Sequence, residues 1–180
     1  MKVTSTKLPG LLLIEPKIFG DARGFFYESW NAREFERAGV RATFVQDNHS
    51  RSEKGVLRGL HYQIGRPQGK LVRVSEGEIF DVAVDIRRGS STFGKWEGAR
   101  LSAQSKNMLW IPAGFAHGFC VMSDFADVLY KTTDFYAPEH ERCILWNDPE
   151  LKIDWPLRGA PLLSPKDAGG LPLRDAEVFP

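Results

Sequence analysis

The sequence predicts an all-β fold of the sandwich, barrel or jelly-roll kind, with a few short helices. Between residues 56 and 145, short runs rich in β-branched and aromatic residues alternate with clusters of Gly, Pro, Ser and Asp. This is the pattern of many short strands joined by turns. The clearest alternation spans Ile79–Ile86, where two carboxylates, Asp81 and Asp85, share one strand face. That face is expected to meet solvent or to line a polar barrel interior.

The remaining elements follow from local sequence signals. Asn31–Gly39 predicts the one clear helix, because Asn31 can cap it, Glu34 holds the capping-box position and Gly39 can end it. The tail of residues 148–180, rich in Pro, Gly and Asp, is expected to be irregular with one or two helical turns. No linker or repeat divides the chain, so residues 1–180 are predicted to form one domain. The predicted strands span residues 11–16, 25–29, 56–63, 70–74, 78–86, 96–101, 108–111, 117–121, 128–133 and 142–145.

Composition and charge exclude several classes of function. The chain has 180 residues, 42% of them hydrophobic, and a net charge of +1, too small to attract nucleic acid or an anionic membrane. No apolar run approaches the ~20 residues of a membrane span, and the N-terminus lacks the features of a signal peptide. Cys120 and Cys143 lie in apolar segments and are expected to be buried free thiols. These features favour a cytoplasmic protein without nucleic-acid or membrane partners.

The segment Gly55–Gln63 and the nearby Lys70 carry the strongest chemical signal. His61 lies on a predicted strand with Arg58, and Lys70 begins the next one. An imidazole with an ordinary pKa of ~6.5 is largely neutral near pH 7 and can act as a general base. A base between two cations suits removal of a proton from carbon beside a carbonyl in an anionic substrate. The alternative is a structural histidine, and no acidic residue adjoins His61 in sequence to orient its ring.

A metal site is disfavoured by the same region. The segment Pro112–His117 has the Pro-x-Gly-x-x-His form of the second metal-binding motif of cupins, whose first motif supplies His-x-His. Here the first motif contains His61 but has Gln63 in place of its second histidine. Although Asp81 could join the two histidines, three scattered ligands are few for a metal centre. The sequence therefore predicts no metal.

Tyr130 is the candidate proton donor, with a core tyrosine as the alternative. A free phenol with a pKa of ~10 holds its proton at pH 7, and a nearby cation would stabilise the phenolate left behind. Because side chains alternate along a strand, Lys131 is expected to face away from Tyr130. The expected cation is therefore Lys70. Arg23, Arg58 and Arg73 are further candidates for binding an anion, with surface solvation as the alternative for each.

Several blocks, in order, resemble the dTDP-4-dehydrorhamnose 3,5-epimerases from near Leu11 to near Asp167. Each block is moderately specific, and the ordered set is highly specific. The blocks are residues 21–28, 46–50, 55–63, 68–70, 81–87, 109–112, 114–119, 130–131 and 146–149.

This resemblance implies a cupin-type jelly roll, also called a double-stranded β-helix, that forms a homodimer and uses no metal or cofactor. The implied reaction inverts C3 and C5 of dTDP-4-dehydro-6-deoxy-D-glucose to give dTDP-4-dehydro-L-rhamnose. By position, His61 is similar to the family's base, Tyr130 to its acid and Lys70 to its enolate-stabilising cation. Asp167 is similar to the aspartate that pairs with the base.

The resemblance also implies a set of substrate-binding positions. Tyr136 and Phe26 correspond to aromatic residues that sandwich the thymine. The other positions are Arg23, Glu28, Gln46, Asp47, Asn48, Arg58, His117, Glu141 and Lys166.

Three alternatives stay open at this point. Epimerases that invert a single carbon, C3 or C5, share nearly all of these residues. A metal-dependent cupin would require the histidine that Gln63 replaces. A non-catalytic cupin that binds nucleotide sugars would have no use for His61, Lys70 and Tyr130 together.

Overall fold

The computed structural model describes residues 1–180 and consists mainly of antiparallel β-structure. Two α-helices are present, α1 at Ala32–Arg37 and α2 at Pro165–Ala168, together with 3₁₀ turns at Pro138–His140 and Leu173–Asp175. The strands are β1 Lys2–Ser5, β2 Leu12–Glu15, β3 Phe19–Asp21, β4 Gly24–Phe26, β5 Gln46–Glu53, β6 Leu57–Gln63, β7 Lys70–Glu76, β8 Glu78–Asp85, β9 Trp96–Ser102, β10 Met108–Ile111, β11 Phe115–Val121, β12 Phe125–Thr132 and β13 Glu141–Cys143.

Two large sheets form the body of the protein. One has the strand order β1-β2-β10-β7-β12-β5, the other has the order β13-β6-β11-β8-β9, and β3 and β4 form a separate hairpin. Sequence neighbours such as β7 and β8 lie in different sheets, so the chain crosses repeatedly from one sheet to the other. This arrangement confirms the predicted all-β jelly roll. No helix has the length and apolar character that crossing a membrane requires.

Three apolar clusters hold these layers together. The first fills part of the space between the two large sheets, with Val72, Ile79 and Phe119 among its members. The second lies on the outer face of the five-stranded sheet, where the C-terminal tail covers it and contributes Trp155. The third joins α1 to the six-stranded sheet through Phe35. The tail therefore covers the outer face of the five-stranded sheet, and α1 covers the part of the six-stranded sheet around β2, β10 and β7.

The tail is anchored at several points along the five-stranded sheet. Isolated bridges join Val56 to Leu162, Ile144 to Leu171 and Arg87 to Phe179. The predicted short helical turns are confirmed, and one of them, α2, places Asp167 beside β6.

The carboxylate face of β8 was predicted to meet solvent or to line the barrel interior, and the structure distinguishes the two. Asp81 and Asp85 are fully buried, so this face lines the interior and does not meet solvent. Asp85 accepts hydrogen bonds from Arg87, Ser90 and Thr92 and closes a turn. Asp81 instead pairs with His117, which lines the cavity described below.

Several sequence-based boundaries needed correction. Strands β1, β3 and β5 were not predicted, and the strand predicted over residues 25–29 ends at Phe26. The helix is confirmed as α1, where Asn31 Oδ1 accepts from the Glu34 backbone N–H at 3.3 Å. The Glu34 carboxylate pairs with Arg37 at 2.7 Å, however, so its side chain does not complete a capping box. Gly39 ends this segment in the left-handed region, at φ +93°.

Candidate active site

A polar cavity of about 340 Å³ opens between the two large sheets, large enough for part of a nucleotide sugar. Its walls are inward-facing side chains of both sheets, together with residues from the turn before β13 and from α2. The lining residues are Gln46, Asn48, Ser50, Arg58, His61, Tyr62, Gln63, Gln68, Lys70, His117, Phe119, Tyr130, Tyr136, Glu141 and Lys166.

Most of the sequence-predicted site residues meet at this cavity. Asp167 lies directly behind His61 and completes the predicted pair. The predicted residues that line the cavity are Gln46, Asn48, Arg58, His61, Lys70, His117, Tyr130, Tyr136, Glu141 and Lys166.

Besides Asp167, four predicted residues lie outside this lining. The Arg23 side chain is 90% exposed and pairs with Asp21, and Phe26 is 65% exposed on the same hairpin. Glu28 accepts a hydrogen bond from Asn31 at 3.0 Å. Asp47 pairs with Lys131 at 2.9 Å on the opposite face of β5 from Gln46. None of the four reaches the cavity of its own chain.

His61 and Asp167 form a close pair at the cavity wall. His61 Nε2 lies 2.7 Å from Asp167 Oδ1, and the angle at the imidazole departs from that of a straight hydrogen bond. Burial lowers the pKa of His61, and the positive charges of Lys166 and Lys70 lower it further. The pairing with Asp167 opposes this decrease. The imidazole is therefore neutral at pH 7 and can accept a proton, and Asp167 would stabilise the imidazolium that forms.

The loop around α2 fixes Asp167 as a buried anion. Ser164 caps α2 by accepting from the Asp167 backbone N–H, and its hydroxyl donates to Asp167 Oδ2 at 2.6 Å. The Gly59 backbone N–H donates to Asp167 Oδ1 at 3.0 Å. Burial would raise the pKa of Asp167, but the hydrogen bonds from His61, Ser164 and Gly59 outweigh it and lower that pKa. The carboxylate is thus ionised throughout the neutral range.

Gly59 allows the strand beneath this pair to pack closely. A Cβ atom at Gly59 would lie 2.5 Å from Gly118 Cα, and its φ of +123° is rarely adopted by other residues. A side chain here would push β6 away from β11. Since these strands carry His61 and His117, the glycine keeps the two histidines adjacent.

His117 is the cross-strand neighbour of His61 and has its own carboxylate partner. His117 Nε2 lies 2.7 Å from Asp81 Oδ1, and both side chains are buried. Asp81 Oδ2 has no hydrogen-bond partner within the chain. Asp81 fixes the His117 ring and leaves one acceptor atom inside the barrel.

Lys70 is a buried cation that lines the cavity. Its Nζ donates to the His61 backbone carbonyl at 3.4 Å. Burial lowers the pKa of Lys70 to about 8, although Asp81 and Glu141 oppose the shift. Lys70 therefore remains mostly protonated at pH 7 and loses its charge as the pH rises through about 8.

Tyr130 faces the cavity from β12, and Lys131 faces away to Asp47, as strand alternation predicted. Burial raises the pKa of Tyr130, so the phenol keeps its proton at neutral pH. The cations that oppose this rise are Arg58 and Lys166. Arg58, which projects from β6, is therefore a further candidate to stabilise the phenolate, and the role of Lys70 stays a prediction.

A second ion pair closes the mouth of the cavity. Lys166 Nζ lies 2.8 Å from Glu141 Oε1, and the Tyr136 hydroxyl donates to Glu141 Oε2 at 3.0 Å. Burial would raise the pKa of Glu141, but Lys166 outweighs it and lowers that pKa. This network holds the half-exposed Tyr136 ring at the entrance, where a nucleobase could stack on it.

Gln63 does not substitute for a metal-binding histidine. Its amide nitrogen donates to the carbonyls of Arg66 and Phe135, and its oxygen accepts from the Ala137 backbone N–H. The amide thus fixes the turn before β13. His61, His117 and Asp81 do not converge as a three-ligand group.

Sequence reasoning missed some residues of the cavity. Ser50 follows Gln46 and Asn48 at every second position, and this alternation would have identified it had β5 been recognised as a strand. Asp81 does not line the cavity; it was predicted as a possible metal ligand and as part of a polar barrel interior, whereas its pairing with His117 was not predicted. Phe119 lies two residues after His117 on a predicted strand, so alternation would have placed it on the same face, and Gln68 lies in one of the blocks that carry the resemblance.

Comparisons with known proteins identify relatives in sequence and in fold. The family model described as dTDP-4-dehydrorhamnose 3,5-epimerase matches residues 5–175. A dTDP-4-dehydrorhamnose 3,5-epimerase from Pseudomonas aeruginosa is 67% identical, with 100% of each chain covered.

Solved structures show the same fold. The dTDP-6-deoxy-D-glucose-3,5-epimerase of Legionella pneumophila, in complex with dTDP-4-keto-L-rhamnose, has a TM-score of 0.95 and 56% identity and covers 98% of this chain and 94% of its own. A 3'-monoepimerase from Streptomyces bikiniensis, in complex with dTDP-quinovose, has a TM-score of 0.88 and 34% identity, with 94% and 86% covered. These likenesses confirm the cupin-type jelly roll, and the chain belongs to the dTDP-4-dehydrorhamnose 3,5-epimerase family.

Proposed function

We propose that this protein inverts C3 and C5 of dTDP-4-dehydro-6-deoxy-D-glucose and so produces dTDP-4-dehydro-L-rhamnose. The observation that carries the proposal is that His61, paired with Asp167, shares one cavity with the protonated phenol of Tyr130. The high identity to a curated 3,5-epimerase supports inversion of both carbons.

The chemistry needs no more than these groups and a cation. C3 and C5 both flank the C4 ketone, so removal of either proton gives an enolate. Neutral His61 takes the proton, Lys70 stabilises the negative charge on the enolate oxygen, and Tyr130 returns a proton to the other face of the carbon. Arg58 stabilises the phenolate until it is reprotonated. Each inverted carbon exchanges its hydrogen with solvent.

The charge of the cavity lining suits a nucleoside diphosphate sugar. Three cations, Arg58, Lys70 and Lys166, line it, and Glu141 is its one carboxylate. Arginine binds phosphate oxygens through paired N–H groups, and lysine binds them as a compact charge. This local excess of positive charge exists although the whole chain carries only +1.

Hydrogen exchange tests the proposed function directly. The wild-type protein is incubated with the 4-dehydro sugar nucleotide in deuterated water, and the product is analysed by NMR. We expect deuterium at both C3 and C5, each with inverted configuration. Deuterium and inversion at one carbon alone would identify a monoepimerase, and no incorporation would indicate a non-catalytic binding protein.

Asp167→Asn should slow the reaction and shift its pH dependence. The Asp167 carboxylate raises the pKa of His61, so the amide should lower that pKa further and move the acid limb of kcat/KM to lower pH. We expect kcat to fall by at least about tenfold, because the imidazolium loses its counter-charge. Asp124→Asn, at an exposed aspartate paired only with Lys54, is the control. An unchanged acid limb would show that Asp167 does not act on the base.

We further propose a cytoplasmic homodimer in which each hairpin serves the partner's cavity. The hairpin of β3 and β4 exposes three aromatic rings, on Phe19, Phe25 and Phe26, and such patches mark interaction surfaces. Arg23 and Phe26 correspond to ligand-binding positions of the family but lie outside their own chain's cavity. Both observations would be explained if the hairpin of one chain reached the cavity of a second copy of the chain. The two free cysteines, Cys120 and Cys143, fit a reducing compartment.

Mixing two inactive variants tests this arrangement. Arg23→Ala damages the hairpin, and His61→Ala damages the cavity. If the hairpin acts in the partner, a mixed dimer contains one intact site, and random pairing restores activity in about a quarter of all sites. If the hairpin acts on its own cavity, mixing restores nothing. Sedimentation of each variant alone checks that both still form dimers.

A further inference from the structure

The paired His61 and Asp167 have a neighbour that the proposed reaction does not use, the thiol of Cys143. Cys143 on β13 lies directly opposite His61 on β6, so their side chains project from the same face of the sheet. One ligand atom from each of His61, Cys143 and Asp167 lies within 4.8 Å of the other two. An imidazole, a thiol and a carboxylate therefore converge at the cavity wall.

We propose that His61, Cys143 and Asp167 bind a thiophilic divalent cation such as Zn²⁺, and that its binding inhibits the enzyme. The inhibitory part of this inference rests on the proposed role of His61 as the base. The site takes no part in the proposed reaction, which uses no metal. Inhibition would arise because the metal ion and the proton of the substrate compete for the imidazole of His61.

The donor set and its geometry fit Zn²⁺. Zinc binds sulfur, nitrogen and oxygen ligands tetrahedrally at bond lengths that place neighbouring ligand atoms about 3.3–3.6 Å apart. The 2.7 Å contact between His61 Nε2 and Asp167 Oδ1 must open slightly, and Cys143 must approach. The bent contact leaves His61 Nε2 without a well-directed partner, which favours this adjustment. With three protein ligands, the fourth position stays open to water.

Binding is a simple exchange of a proton for a metal. The Cys143 S–H bond breaks, the proton passes to solvent, and a sulfur–zinc bond forms with no change of oxidation state. Thiolate, carboxylate and neutral imidazole together carry two negative charges, which balance Zn²⁺. Burial raises the pKa of Cys143 to about 11, so the thiol is protonated at neutral pH.

Cobalt substitution tests the site without any turnover. Full-length protein is freed of metal with a chelator, which should not lower its activity, and is titrated with Co²⁺. Bonding to a thiolate gives a near-ultraviolet charge-transfer band, and we expect one equivalent of Co²⁺ per chain. The band should vanish in Cys143→Ser and persist in Cys120→Ala, whose thiol is buried in the second apolar cluster. His61→Ala should weaken Co²⁺ binding by at least about tenfold.

Inhibition is measured separately, as the ratio of epimerase rates with and without Zn²⁺ for each variant. We expect the ratio to approach one in Cys143→Ser and to stay at the wild-type value in Cys120→Ala. A wild-type protein with no charge-transfer band, or a band that survives in Cys143→Ser, would overturn the proposed site. If Cys143→Ser is misfolded by circular dichroism, the His61→Ala titration decides. An inactive wild-type protein that binds cobalt through Cys143 would refute the epimerase and leave the metal site standing.

Discussion

His61→Ala is expected to abolish deuterium incorporation at both C3 and C5 while dTDP still binds. The imidazole of His61 is kept neutral by burial, pairs with the buried Asp167 carboxylate and lines the cavity. A single base serves both carbons because both protons lie beside the same ketone. The loss should be at least the ~10²–10⁴-fold typical of one acid–base group.

Two comparisons make this result specific. His49→Ala removes an exposed imidazole on the outer face of β5, paired with Asp127, and should leave exchange at both carbons unchanged. Calorimetric titration with dTDP should give similar affinities for wild type and His61→Ala. If His61→Ala still incorporates deuterium into either carbon at near wild-type rate, the base for that carbon lies elsewhere, and His117 is the next candidate.

Tyr130→Phe should separate exchange from inversion. In this variant His61 can still remove a proton and Lys70 can still hold the enolate, but no phenol delivers a proton to the opposite face. We expect deuterium to enter with retained configuration, returned by His61, while inverted product falls by about 10²–10⁴-fold. NMR analysis in deuterated water resolves both outcomes in one sample.

Tyr27→Phe is the matched control, because Tyr27 lies outside the cavity lining and its hydroxyl lies 3.5 Å from Arg73. It should retain full inversion. Full inversion in Tyr130→Phe would transfer the acid role to water or to Tyr136. The Tyr136 hydroxyl already donates to Glu141, so the double variant Tyr130→Phe, Tyr136→Phe would then distinguish these two donors.

The apolar strands of the jelly roll could be predicted from local pattern, but β5 could not. Its sequence, QDNHSRSE, has no apolar residue, because one face lines a polar cavity and the other meets solvent. The strand forms because all eight of its residues pair with β12, a long-range constraint that propensity does not register. A strand built for a polar site therefore lacks the usual hydrophobic alternation, and its side chains were identified only by resemblance.

The candidate site likewise combines features that local sequence patterns predict with features that they do not predict. Alternation on β12 correctly separated Tyr130 from Lys131, because that rule depends only on strand geometry. The pairing of His61 with Asp167 joins β6 to the distant C-terminal tail, so no local pattern could indicate it. Arg23 and Phe26 mark a different limit, since one chain alone does not bring them to its cavity.

His61 belongs to the barrel, whereas its carboxylate partner Asp167 belongs to the C-terminal tail. This separation should affect how the enzyme loses activity on heating. Asp167 belongs to the C-terminal tail, which packs on the outer face of the five-stranded sheet and is joined to it by hydrogen bonds such as the 3.1 Å bond from the Phe179 N–H to the Ile86 carbonyl. Such peripheral segments open locally at lower free energy than the core sheets. Activity should therefore disappear at temperatures where the β-sheet circular dichroism is intact, and tail amides should exchange with solvent before those of β8. We therefore expect heat to inactivate this enzyme by releasing the tail first, so that substitutions confined to the barrel core would not delay the loss of activity.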